Sequence, residues 1–136
     1  MIRPIVTSSV LPRMPSAEAT PADAPIGQDL LDTLAAHAHE CVGMAANMIG
    51  QLKRVIVVQD GSRTRLMYNP RITARTGEYQ TDEGCLSLTG TRPATRYRRI
   101  VVSYLDQNFR QRLETFSGYT AQIIQHETDH CNGIVI

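Results

Sequence analysis

Gln125-His126-Glu127-Thr128-Asp129-His130 lies near the end of a chain of 136 residues and carries the spacing H-E-x-x-H. The surrounding Thr120–Asn132 reads as a helix, and Gly133 suits its C-terminal stop. Residues four apart on a helix share a face, so His126 and His130 can hold one metal ion together. Glu127 stands beside His126 and need not ligate. A carboxylate so placed can take a proton from activated water and return it to a leaving group. A catalytic metal site keeps three protein ligands and leaves the fourth position to solvent. Two histidines are therefore one short. Cys85 is the best candidate for the third, in Glu83-Gly84-Cys85-Leu86-Ser87, where Gly84 permits a tight backbone path. A lone cysteine is more often a small core residue; the histidine pair is what raises its standing.

Outward from this helix, the chain reads as strands between two helices. Met1–Ile26 holds Pro4, Pro12, Pro15, Pro21 and Pro25, so an extended arm with turns is expected. Gln28–Glu40 reads as a helix whose apolar face is Leu30, Leu31, Leu34, Ala35 and Ala38. His37 and His39 fall near its end, where cations and polar groups suit the helix terminus. Val55–Gln59 is a β-branched strand, Asp60-Gly61 a tight turn, and Arg65–Tyr68 the returning strand, which Asn69-Pro70 is expected to break. Ile72–Tyr79, Arg99–Asp106 and Phe109–Phe116 read as further strands. Strands grouped between helices, without βαβ alternation, predict an α+β fold over 1–136 as a single domain, with 1–26 as its arm.

Composition narrows the function classes. Hydrophobic residues make up 42%, charged residues 20%, and the net charge is +1, an ordinary globular balance with no global basic surface for nucleic acid. The arginines of Arg92–Arg99 are dense but read as a solvated face. No apolar run approaches the roughly 20 residues that span a bilayer, and Met1–Arg13 lacks the order of a signal peptide. A cytoplasmic protein is expected. Three cysteines cannot all pair, and that compartment disfavours disulfides.

Three segments in order resemble the peptide deformylase family. Gly43-Met44-Ala45-Ala46-Asn47-Met48-Ile49-Gly50 is similar to its glycine-alanine segment. Glu83-Gly84-Cys85-Leu86-Ser87 looks like its cysteine motif, and Gln125–His130 with Asn132-Gly133 looks like its metal helix. Asn69-Pro70 and Asp106 also resemble family positions, and the likeness runs from about Asp29 to the last residue. The resemblance implies antiparallel strands wrapped around the metal helix. It implies Cys85, His126 and His130 as ligands of Fe²⁺ in the cell, with Zn²⁺, Ni²⁺ or Co²⁺ able to replace it in purified protein. The implied reaction removes the formyl group from N-formylmethionine at the start of new proteins. Formylated peptide N-termini and the ribosome exit region are the implied partners. Glu127 would move the proton, the backbone N–H of Leu86 would steady the oxyanion, and Val42, Gly43 and Arg92 would line or frame the substrate groove.

The pattern also breaks. The family usually carries glutamine where Met48 stands, and a thioether cannot donate a hydrogen bond. Losing one oxyanion donor typically costs about 10²–10³ in rate. Asn47 has an amide, but at the wrong position in the gap-free match. Gln122, four residues before His126, could return a donor to the substrate pocket or narrow it. Cys41 replaces the segment's first glycine and Cys131 a usually apolar residue; both read as packed side chains. Asp129 reads as a structural hydrogen-bond partner. Many bacterial members continue into a further C-terminal helix, a difference that bears on groove shape, ribosome contact and stability and not on metal binding. Alternatives to the main reading are a relative acting on another formylated amine, a metal-binding paralogue with little turnover, and a protease.

Overall fold

Val55-Ile56-Val57-Val58 is an unbroken apolar run, and such a strand needs cover on both faces. The computed structural model, which describes residues 1–6, 11–87 and 90–135, supplies one helix on each side. Helix α1 spans Ala24–Ala36 and helix α2 Gly118–Cys131. Between them lies an antiparallel meander of β1 (Gly43–Ala45), β2 (Val55–Asp60), β3 (Arg63–Gly84), β4 (Thr91–Leu105) and β5 (Gln111–Ser117), in the order β1-β2-β3-β4-β5. Ile56 and Val58 face a core with Phe116, Ala121 and Ile124. Val55 and Val57 face a second core with Leu30, Leu34 and Met44. The expected α+β architecture holds, and residues 7–10 of the expected arm lie outside the described residues.

Several boundaries moved, each for a local reason. Helix α1 begins ahead of the expected Gln28, because Pro25 fits the first turn, where no intrahelical N–H is needed. It ends at Ala36, and His37 folds back onto Glu40 (Nδ1 to Oε1 2.8 Å). Its buried face is Gly27, Leu30, Thr33 and Leu34, while Ala35 and Ala38 are exposed. Asn69-Pro70 does not break the returning strand. Strand β3 runs through it with register shifts between Tyr68 and Arg71 and again between Ile72 and Ala74. Asn69 takes the left-handed conformation (φ 53°), which Asn tolerates. Its side chain clasps Ala19 of the arm through both amide atoms, at 2.7 and 3.0 Å.

Gly133 (φ 79°) closes α2 as expected: its N–H donates to the His130 carbonyl at 3.0 Å, and that of Ile134 to Asp129 at 2.9 Å. No described helix is long and apolar enough to cross a membrane.

Gly27 marks the tightest approach of α1 to the sheet. A Cβ there would lie 2.1 Å from the Tyr68 hydroxyl oxygen. Tyr68 cannot retreat, being 2% exposed and stacked on Phe109 with ring centroids 4.1 Å apart. Alanine is the better helix former by about 0.8–1 kcal/mol, but overpacking costs about 1–3 kcal/mol. Gly27→Ala should therefore lower stability by about 1 kcal/mol, seen as a lower urea midpoint. A raised midpoint would show that the ring yields.

Candidate metal centre

Helix α2 is unusual for a central helix. Gln125, His126, Glu127, Thr128 and His130 are all buried. Buried polar groups need partners, and the sheet provides many of them. Strand β3 ends at Gly84, and the next residue, Cys85, turns its sulfur toward the two rings. One ligand atom each from Cys85, His126 and His130 lies within 4.8 Å of the others. Cys85 Sγ stands 3.6 Å from His130 Nε2, and the two ring centroids are 5.2 Å apart.

Each histidine uses its Nδ1 elsewhere, which leaves Nε2 for the centre. His126 Nδ1 lies 2.9 Å from Glu83 Oε1. Glu83 is gripped in turn by Arg96 (Nη2 to Oε1 2.6 Å, Nε to Oε2 2.9 Å) and by the Gln122 amide at 2.9 Å. Arg96 also donates to Asp129 Oδ2 at 2.8 Å. Arg96 is thus no part of a solvated arginine face: it is 4% exposed, because it neutralises two carboxylates. Asp129 is the structural partner expected. His130 Nδ1 lies 2.9 Å from Asn47 Oδ1, a contact that the gap-free reading of Asn47 did not anticipate.

The electrostatics follow from this wiring. Burial by itself raises Glu83, yet hydrogen bonds from His126, Arg96 and Gln122 outweigh it and hold the carboxyl well below its ordinary range. Burial opposes the charge on His126, but its bonds with Cys85 and Glu83 draw it upward. Burial and then the nearby His126 charge push His130 down. Glu127 is lifted to about 7, chiefly by burial. Cys41, donating to the Gly43 carbonyl at 2.9 Å, is raised by burial to about 11, and buried Cys131 to about 12. Both remain thiols near neutrality; Cys131 is packed as expected, whereas Cys41 is half-buried and lines the cleft over the centre.

A cleft of about 590 Å³ opens over the centre. Val42, Gly43, Met48, Cys85, Leu86 and Gln122 line it together with His126 and Glu127. Arg92 is not among its lining residues; it is exposed on β4, opposite Glu83 in the strand register. Tyr119, 63% exposed, and Asp82 also line the cleft, and no motif pointed to either. Gln122 turns its amide nitrogen to Glu83, so that donor braces the His126 partner.

The donor set fits a divalent ion: one thiol and two imidazole nitrogens, each ring with a second hydrogen-bond partner. Glu127 adds an observation of its own. Among the described residues, its buried Oε1 has no hydrogen-bond partner.

Residues 11–136 match the family model described as polypeptide deformylase. A peptide deformylase of Clostridium beijerinckii is 48% identical over 136 residues, covering 100% of both chains. The chain belongs to the polypeptide deformylase family. Among solved structures, the peptide deformylase of Thermus thermophilus aligns with TM-score 0.87 and 33% identity, covering 98% of this chain and 83% of that one. A class I type b peptide deformylase of Acinetobacter baumannii, crystallised with Met-Ala-Ser, aligns with TM-score 0.87 and 25% identity over 99% of this chain and 97% of that one. Members of the deformylase family are metal-dependent hydrolases, and Cys85, His126 and His130 form a cluster that could hold a metal ion.

Metal must compete with protons here. His126 holds its proton more tightly than a free imidazole, so loading the centre expels it. Affinity for Zn²⁺, read by chelator competition, should therefore weaken about tenfold per released proton for each unit of acidification, between about pH 8 and pH 6. An affinity independent of pH would contradict this.

Proposed function

We propose that this chain hydrolyses the formamide of N-formylmethionyl peptides, releasing formate, with Cys85, His126 and His130 holding the metal and Glu127 moving the proton. The observation that carries the reading is the convergence of those three donors beside a buried carboxylate whose Oε1 has no partner among the described residues. A divalent ion held there would supply Lewis-acid chemistry, polarising the formyl carbonyl and activating water. Fe²⁺ is the ion expected in the cell, with Zn²⁺, Ni²⁺ or Co²⁺ able to take its place.

The chain's own residues do the rest. Glu127, lifted to about 7, can accept a proton from the attacking water and pass it to the departing amine at neutral pH. The water oxygen bonds to the formyl carbon, the carbon–nitrogen bond breaks, and formate and a free amino terminus leave. The backbone N–H of Leu86, in the cleft wall, steadies the oxyanion. Val42 and Gly43 also line the cleft, and so does buried Met48, which offers no donor. Met-Ala-Ser bound to the Acinetobacter relative supports a peptide occupant. The whole chain acts as one catalytic unit on nascent peptides, in the cytoplasm and near the ribosome exit region.

Met48 favours a second reading in which the preferred substrate is another formylated amine. Its thioether offers no donor where the resemblance expects one, and Gln122 gives its amide to Glu83.

Anaerobic formate release from formyl-Met-Ala-Ser by the Fe²⁺-loaded chain decides between them. The proposal expects turnover that Glu127→Ala lowers by about 10²–10⁴, with metal content retained. No formate from this peptide, but formate from other formyl amines, would move the assignment to the second reading.

Gly43 supplies an independent check. A Cβ there would stand 2.6 Å from Ile123 Cγ2 and 2.9 Å from Glu127 Oε2. Gly43→Ala should displace the carboxylate and cut kcat by about 10² while metal binding persists. Unchanged kcat would separate Glu127 from the chemistry.

A further inference from the structure

Asn47 sits in the 3-10 turn Ala46–Ile49, which follows β1, and is 1% exposed. Its two amide ends face different groups. Nδ2 lies 3.1 Å from the Pro12 carbonyl oxygen and 3.5 Å from the carbonyl oxygen of His130. Carbonyl oxygens only accept, so the end facing them must be the NH₂ group. The other end is then the oxygen, and it lies 2.9 Å from His130 Nδ1. An amide oxygen also only accepts, so Nδ1 must carry the hydrogen. A neutral imidazole carries one, and Nε2 is left with a bare lone pair. Nε2 is the atom 3.6 Å from Cys85 Sγ.

The logic differs from that at His126. Glu83 offers carboxylate oxygens, which accept whichever one faces the ring. An amide can turn over. Reversed, Asn47 would donate to Nδ1 and force the hydrogen onto Nε2, where it would block a ligand position. The Pro12 carbonyl of the N-terminal arm prevents the reversal. The arm is anchored in place: Ser16 N–H donates to the Cys131 carbonyl at 2.8 Å, and Ala17 N–H to that of Leu52 at 3.0 Å.

We propose that Asn47 is the positioning residue of His130, fixing the tautomer that frees Nε2 for metal, and that the Pro12 carbonyl fixes Asn47. This rests on the metal-dependent reading of the centre. It adds a residue whose work is neither ligation nor contact with substrate.

The test uses the full chain and Zn²⁺ as probe. Nitrogen-15 NMR of the metal-free protein should find neutral His130 protonated at Nδ1. Asn47→Leu keeps the branched shape, with somewhat greater bulk, but removes the acceptor, and should weaken Zn²⁺ by about 10–100-fold in chelator competition. Asn47→Asp keeps an oxygen toward Nδ1 and should recover most of that affinity, although it loses the donor to Pro12. A role limited to filling space predicts the opposite order, with leucine tolerated and a charge facing the Pro12 carbonyl harmful, and a role limited to tethering the arm predicts similar losses in both variants, since neither side chain can donate to Pro12. An Nε2–H tautomer in the wild-type protein would overturn the proposal. So would a folded Asn47→Leu chain binding Zn²⁺ within about threefold of wild type. Should Asn47→Leu not fold, the wild-type tautomer and the Asn47→Asp affinity still decide. These readouts do not depend on formyl-peptide turnover, so an inactive wild-type chain would count against the functional reading and leave this one standing.

Discussion

Burying a polar helix face between two apolar cores is the constraint on which the rest of the structure depends. Two imidazoles and a carboxylate on α2 lose their water when the sheet closes over them, and each unpaired group would cost free energy on the order of a hydrogen bond or more. The surrounding elements answer one by one. Strand β3 delivers Glu83 to His126, β4 delivers Arg96 to Glu83, and the turn after β1 delivers Asn47 to His130. Both rings then have Nδ1 engaged from behind and Nε2 left for the side where Cys85 stands. The ligand atoms are therefore aimed by partners that take no part in ligation, which is how a fold can hold ligand geometry in the absence of the ion.

That economy explains which features could be read from the chain alone. H-E-x-x-H works through helix periodicity, a local property, so His126, Glu127 and His130 were legible at once. Cys85 needed chemical inference, since nothing local says that a strand end will meet a helix so much further along the sequence. The Asp60-Gly61 turn and the apolar run of β2 were legible for the same local reason. The merger of two expected strands into β3 was not, because a bulge at Asn69-Pro70 is stabilised by the distant Ala19 backbone. Arg96 and Asn47 were missed for a related reason. Their partners are far away in sequence, and an arginine among arginines or an asparagine in an apolar segment carries no local signal of burial.

Met48 shows how far resemblance carries. In place of the family's usual glutamine, the cleft has a buried thioether that can neither donate nor be charged. The neighbouring amide is engaged by His130 and Pro12 and cannot serve as the missing donor. Gln122 is likewise engaged, by Glu83 and by Tyr79. On the proposed reading, oxyanion support then rests on the backbone N–H of Leu86, which lines the cleft. Backbone donors have the advantage of rigidity, because their direction is set by the chain path and not by a rotamer.

Charge balance ties these pieces together. Glu83, Arg96 and Asp129 together carry one net negative charge, buried or half-buried behind His126. A divalent cation held beside His126 would offset that charge. Burial is the main cause that lifts Glu127 to about 7, and a cation held nearby would draw it back down. Arg96 lies between Glu83 and Asp129 and pairs with both, so the carboxylate that faces His126 is held in place by a cation outside the cleft lining.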